Sequence, residues 1–177
     1  WNGEPPSLYG RFDAVYDGIN PPKLLEYNAD TPTSILESAV VQWKWKEECF
    51  PREDQYNSLY EQLIAKWQDV KSHLRQPLYF VYDDNVAEDR MNVALLAETA
   101  MEANIDCVMM HIGDVGYNEV ERQFRDLEEN EINSIFKLYP WEDLLREDFA
   151  RHIAASGCLF LEPAWKALLS NKALLPV

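Results

Sequence analysis

The chain has 177 residues, 47% of them hydrophobic, enough to bury one sizeable core or a core with a small appendage. Thirty-one acidic against sixteen basic residues give a net charge of −15, which argues against a nucleic-acid partner, because nucleic acid is gripped by clustered Lys and Arg. That balance suits a cationic substrate such as a polyamine, or simply a well-solvated surface. No apolar run approaches the roughly 18 residues of a membrane span and no signal peptide is evident, so no membrane partner is expected.

Residues 9 to 34, YGRFDAVYDGINPPKLLEYNADTPTS, read as two short strands joined by a turn. In Arg11-Phe12-Asp13 and Glu26-Tyr27-Asn28 the polar residues sit two apart, and side chains two apart on a strand share a face. One Arg, two carboxylates and an amide would then meet on one surface. Hard oxygen ligands suit Mg²⁺ and a guanidinium suits phosphate, the combination phosphoryl transfer needs. The competing explanation is a half-buried hairpin whose wet face is merely solvated. Asp17-Gly18 and Asn20-Pro21-Pro22 are turn chemistry, so Asp17 reads as a turn residue rather than a ligand. Asp30 precedes Thr31-Pro32-Thr33-Ser34, a loop ending in a helix N-cap, which gives it capping as a competing role.

The spacing next predicts a helix from Thr33 or Ser34 to about Cys49, with Ile35, Ala39, Val40, Trp43 and Trp45 on its apolar side. Phe50-Pro51-Arg52 breaks it, and a second helix runs from Glu53 or Asp54 to about Leu74. Its stripe is Tyr56, Leu59, Tyr60, Leu63, Ile64, Trp67 and Val70, for which core packing is the expectation. PLYFVYDD, a helix from Glu88 to Ala103 and IDCVMMHIGD then form a strand–helix–strand unit, predicting a parallel sheet covered by helices. Beyond it, a two-strand excursion is expected around Val120 to Phe124 and Ile132 to Leu138. A helix from Pro140 to about His152, a strand CLFLE and a last helical stretch opening at Pro163 complete the chain.

Three cysteines are odd in number and widely spaced, and Cys107 and Cys158 lie in apolar runs as small buried hydrophobes. They point to a reducing, cytoplasmic location rather than a disulfide framework or a zinc site. His73, His111 and His152 lack mutual metal spacing, and no Walker A, GxGxxG or GxSxG sequence occurs. Asp83, Asp84, Glu88 and Asp89 lie just past a strand end, where open α/β sheets bind ligands. They could hold an ammonium group, or answer a helix dipole; Glu142 in YPWED has the same ambiguity.

RFD, KLLEYNADTPTS, a Trp-rich helix, FKLYPWE and LEPAWKALLSNKALLP, in that order, resemble the C–N ligase module of the glutathionylspermidine synthase family. The version here is similar to bacterial acid–amine ligase homologues without the amidase half. The resemblance implies an α/β fold: a Rossmann-like pre-ATP-grasp domain with a parallel sheet flanked by helices. An N-terminal β-hairpin and helical segment would belong to the ATP-grasp ligase core. It implies domains at 1–75 (hairpin and two helices), 76–163 (Rossmann-like) and 164–177 (the lead into an ATP-grasp domain). It also implies ATP and Mg²⁺ as cofactors, a glutathione-like peptide acid and a polyamine-like amine as substrates, and an acyl-phosphate route to an amide.

By motif match, Arg11 would bind the transferring phosphoryl of the nucleotide, and Asp13, Glu26 and Asn28 would ligate Mg²⁺. Thr31 and Thr33 stand where serines face the peptide acid in the family. Glu88 and Asp89 would receive the polyamine, and Glu142 is a further substrate-side residue. The residues that grip the nucleotide would lie beyond NKALLP, so the chain is expected to be an internal piece without ligase activity of its own. A non-catalytic module that only captures a peptide or polyamine is the alternative.

Overall fold

The computed structural model describes residues 5–174. Alternating polar and apolar residues pair Arg11–Val15 (β1) with Lys23–Asn28 (β2) as an antiparallel hairpin. Asp17 closes its tip by accepting the backbone N–H groups of Ile19 and Asn20 at 2.9 and 2.8 Å, while Gly18 supplies the positive φ of 81°. One hairpin face is polar. On the other, Phe12 stacks on Tyr27 with ring centroids 4.2 Å apart, and both Phe12 and Leu25 are exposed.

The first helix departs from expectation. Ser34 takes a left-handed φ of 67° and makes no side-chain cap; the chain then winds through a π-helical turn, Glu37–Val41, before α1, Gln42–Cys49. α1 buries no residue, and Trp45 is exposed where a core position was expected. The second helix, α2, starts only at Leu59 and runs to Val70. Asn57 delays it: its amide donates to the Ser38 carbonyl at 2.6 Å and its side-chain oxygen accepts the Leu59 N–H. Tyr56, outside the helix, is fully exposed rather than part of the stripe.

Leu78–Tyr82 (β3), Ala87–Glu102 (α3) and Cys107–His111 (β4) form the expected strand–helix–strand unit. The excursion differs. Gly116–Asn118 (β5), Gln123–Arg125 (β6) and Glu131–Ile132 (β7) make a three-stranded antiparallel sheet, and Val120 sits in its turn. The predicted strand Ile132–Leu138 therefore splits at Asn133, its second part, Ser134–Leu138 (β8), joining the main sheet. The predicted helix after Pro140 also splits, into Trp141–Leu144 (α4) and Ala150–Ser156 (α5). Between them Tyr139 donates to Glu147 at 2.8 Å, and Phe149 packs edge-on to Phe124. Gly157 ends α5 at φ 68°, and Leu159–Leu161 (β9) and Lys166–Leu169 (α6) follow, α6 starting three residues after Pro163.

The main sheet has the order β4-β3-β8-β9 with every pair parallel. Strand period divides its core in two. Leu78, Phe80 and Phe136 face Trp67 of α2 and Val93 and Leu96 of α3, whereas Tyr79, Val81 and Ile135 face Phe124, Trp141 and Phe160. Both faces being covered explains why β3 and β8 are buried throughout. β4 is an edge strand, so Val108 and Met109 stay partly exposed, and Cys107 and Cys158 are half-buried rather than fully buried. Across residue 76, Ile35, Leu63 and Trp67 share one core with Phe80 and Leu96. Among the described residues no helix is long and apolar enough to cross a membrane.

Trp67 is fully buried, donates its indole N–H to Thr99 at 3.0 Å and meets Phe80 and Phe136 at centroid distances of 5.8 and 6.2 Å. Trp67→Ala is expected to cost about 3–5 kcal/mol through lost burial and the cavity left behind, read as a lower urea midpoint at unchanged slope.

Candidate functional site

β-Pairing places Arg11 opposite Asn28 and Asp13 opposite Glu26, so the four polar side chains project from one face of the hairpin. Arg11 grips Asp13 with two parallel bonds, Nε to Oδ1 at 2.9 Å and Nη2 to Oδ2 at 3.1 Å. Its remaining nitrogen, Nη1, reaches the carbonyl and hydroxyl of Thr33, both at 3.3 Å, and the Ser34 hydroxyl at 3.4 Å. The Asn28 amide donates to Glu26 Oε1 at 2.7 Å and Asp13 Oδ2 at 3.3 Å, and Lys172 Nζ lies 3.3 Å from Glu26 Oε2. The fork from Arg11 is the main reason the Asp13 carboxyl is held below the ordinary aspartate range, and it raises the guanidinium in return.

This donor set fits Mg²⁺. Two carboxylates and an amide are hard oxygen ligands, and Mg²⁺ commonly takes one or two carboxylates, filling its octahedron with water and phosphate oxygens. Among the described residues no group of three or more His, Cys, Asp or Glu stands ready to hold a metal, so the protein's share here is a partial shell. At present the charges answer one another: Arg11 neutralises Asp13, and Lys172 neutralises Glu26.

The sheet sets where this face lies. Strand order reverses between β3 and β8, and ligands of open α/β sheets bind outside the carboxyl ends at such a point. Just past β8, the turn Tyr139-Pro140-Trp141-Glu142 lies against the end of the hairpin. Asn28, Asp30, Thr31, Pro140, Glu142 and Ser170 line one hollow of about 190 Å³. Thr31 and Glu142 are thus brought to Asn28, and Thr33 to Arg11. Glu88 and Asp89 stand apart from that hollow, in the first turn of α3. Asn92 of the same helix donates to the Glu88 carbonyl at 3.0 Å and accepts the Ile35 N–H at 3.1 Å, which ties α3 to the segment after Thr33 and Ser34. Burial, then Glu88 and Asp83, push the Asp89 carboxyl up.

Four residues to which sequence reasoning gave no such role hold the hairpin in place. Asp30 caps no neighbouring helix: it is buried, with Oδ1 2.5 Å from Lys137 Nζ and Oδ2 accepting the Trp141 N–H at 2.8 Å, the first N–H of α4. Lys137, buried on β8, also lies 4.9 Å above the Trp141 ring. Burial pulls its ammonium below the ordinary lysine value, and Asp30 opposes that pull. Glu162, fully buried, accepts the Leu8 and Tyr9 N–H groups at 2.8 and 3.0 Å and stands 2.8 Å from Lys166 Nζ, which donates to the Tyr9 carbonyl. Signals existed: a lysine inside an apolar strand, SIFKL, demands a buried partner, and Glu162 and Lys166 stand at i, i+4 spacing.

The family profile described as "Glutathionylspermidine synthase preATP-grasp" matches residues 1–177, so the chain belongs to that family. It is similar to the Haemophilus influenzae protein named "Putative acid--amine ligase", 46% identical over 179 residues, covering 99% of this chain and 45% of that one. Trypanothione synthetase of Crithidia fasciculata is 25% identical over 207 residues, 100% of this chain and 31% of the other. The bifunctional glutathionylspermidine synthetase/amidase of Escherichia coli K12 is 23% identical over 199 residues, 96% and 31%. This chain spans less than half the length of each of these relatives.

Two measurements check the site. Asp13 is held below its ordinary range, so the pair with Arg11 is complete above the unfolded-state value and is lost as pH falls through the folded one. A carboxyl NMR titration is expected to place Asp13 below a model aspartate in the native protein and back near it in Arg11→Ala. Lys137→Ala leaves Asp30 buried without its cation and is expected to cost about 3–5 kcal/mol in urea unfolding; exchanging both partners for apolar residues should cost clearly less.

Proposed function

We propose that this chain supplies the metal- and phosphoryl-facing part of an ATP-dependent carboxylate–amine ligase of the glutathionylspermidine synthase type. The observation that carries the proposal is the paired register of Arg11, Asp13, Glu26 and Asn28 on one hairpin face, beside the hollow holding Thr31 and Glu142. In this proposal the hairpin, within residues 1–75, belongs to the ligase core, residues 76–163 form the Rossmann-like platform, and 164–177 lead into an ATP-grasp domain carrying the nucleotide grip. The family membership and the relative named as an acid–amine ligase support the reaction class.

The reaction joins an acid to an amine. The γ-phosphoryl of ATP passes to the carboxylate, giving ADP and an acyl phosphate; the lone pair of the neutral amine then attacks the acyl carbon, the C–O bond to phosphate breaks, and the proton lost from nitrogen leaves with inorganic phosphate. Asp13, Glu26 and Asn28 would hold Mg²⁺, which when bound neutralises phosphate charge and aligns the transferring group. With Mg²⁺ held there, Arg11, which now pairs with Asp13, would be free to face the phosphoryl charge with its guanidinium. Thr33 and Ser34 keep Arg11 aimed from its other end. Thr31 offers a hydroxyl to a peptide acid, while Glu88, Asp89 and Glu142 offer carboxylates to an ammonium group, consistent with a glutathione-like acid and a polyamine-like amine.

The test is coupled ADP release by the protein at full length with Mg²⁺ATP, scanning glutathione and other peptide acids against spermidine, other polyamines and simple amines. ADP is expected only when one acid and one amine are present together. Arg11→Ala is expected to lower kcat/KM about 10²- to 10³-fold, the usual loss when one charge-stabilising donor is removed. A folded protein that binds a peptide or polyamine yet releases no ADP across the panel would replace the ligase with a capture module.

A further inference from the structure

Four buried charges gather beneath the hairpin: Asp30, Lys137, Glu162 and Lys166. None of them projects from the polar hairpin face, yet each bridges segments far apart in the chain. Asp30 alone joins β8 through Lys137 and α4 through the Trp141 N–H. Two residues before Asp30 stands Asn28, a member of the polar face; one residue after Trp141 stands Glu142. Asn28 and Glu142 line the same hollow. Ser170 fixes the same point from a third direction, its hydroxyl accepting the Ala29 and Asp30 N–H groups at 3.0 and 2.9 Å.

Burying a lysine and an aspartate costs several kcal/mol per ion in lost hydration, and a pair of apolar residues would fill the space without that cost. What apolar residues could not do is impose direction. A carboxylate answered on both oxygens allows the backbone at residue 30 one placement relative to Trp141, whereas packed hydrocarbon tolerates sliding. The Trp141 indole is itself pinned, donating to the Glu162 carbonyl at 2.8 Å, so the turn bearing Glu142 cannot drift to follow the hairpin.

We propose that Asp30 and Lys137 are positioning residues that fix the separation of the hairpin's polar face from the turn bearing Glu142. They act through Asn28 and Trp141 and touch no substrate. This rests on the metal-binding role proposed for the face, but its geometric part can be tested apart from that role.

The experiment uses the full-length protein carrying Asp30→Ala with Lys137→Met, so that neither charge is left alone. Mn²⁺ serves as the probe, titrated by EPR, with Asp13→Asn defining the component bound at the hairpin; amide hydrogen exchange is read at single residues alongside. In the double variant the Trp141 and Ala29 amides are expected to exchange at least tenfold faster while Phe80 and Leu96 in the core change little. The Asp13-dependent Mn²⁺ affinity should fall about tenfold. Ser170→Ala, at a half-buried site, should produce the same pattern at smaller size and decides the matter if the double variant does not fold. Unchanged exchange at Trp141 and Ala29, a rise matched throughout the core, or an Mn²⁺ affinity equal to wild type would each overturn the proposal. Wild type showing no Asp13-dependent Mn²⁺ would overturn the metal-binding role instead, leaving the exchange pattern to decide the positioning role.

Discussion

A carboxylate taken out of water must have its oxygens answered from within the protein, and Asp30 is answered by groups 107 and 111 residues away. That one side chain joins the hairpin to the central sheet and to the first turn of α4. A two-stranded ribbon is marginal by itself, so the polar face on β1 and β2 owes its placement to what happens at its base. Asp30, Ser170 and Tyr9, whose hydroxyl donates to the Pro32 carbonyl, close that base from three sides. The sheet in turn supplies something rigid to close against, because both of its faces are buried under apolar side chains.

The same arrangement explains how unlike chemistries come to lie at one end of the sheet. The hairpin brings hard oxygen donors and a guanidinium already paired with each other. The strand ends bring Glu142, and the first turn of α3 brings Glu88 and Asp89. Parallel strands deliver these groups to one end of the sheet by topology alone, whereas the hairpin has to be fastened there by specific contacts. Polar groups on a scaffold this dense are held in place in advance, which is what the proposed catalysis by positioning requires.

What could be read in the sequence followed from periodicity. Two-residue alternation exposed the common face of Arg11, Asp13, Glu26 and Asn28, and continuous apolar runs exposed β3 and the strand–helix–strand unit, whereas β8 was read into the excursion instead of the main sheet. Local competition hid the helix ends: Asn57 bonds back to Ser38 and so withholds the first turn of α2, a contact that spacing does not encode. Edge or centre was equally hidden, since Val108 and Met109 look like core residues in IDCVMMH and are exposed because, among the described residues, β4 has no outer neighbour. Asp30 was the costliest misreading. Its neighbours Thr31-Pro32-Thr33-Ser34 advertise a cap, and nothing local announces Lys137, although a lysine in SIFKL does announce that some distant acid must exist.

Among the described residues the hairpin is tethered at one end only. Its tip, Asp17 to Asn20, is fully exposed and closed by its own side chains, and touches none of the groups that fix the base. Register near the base is set by Arg11 opposite Asn28, so residues added or removed at the tip leave that pairing untouched. A longer or shorter tip would therefore leave the base of the ribbon as it is, whereas any change in length around Asp30 would pull it from partners over a hundred residues away.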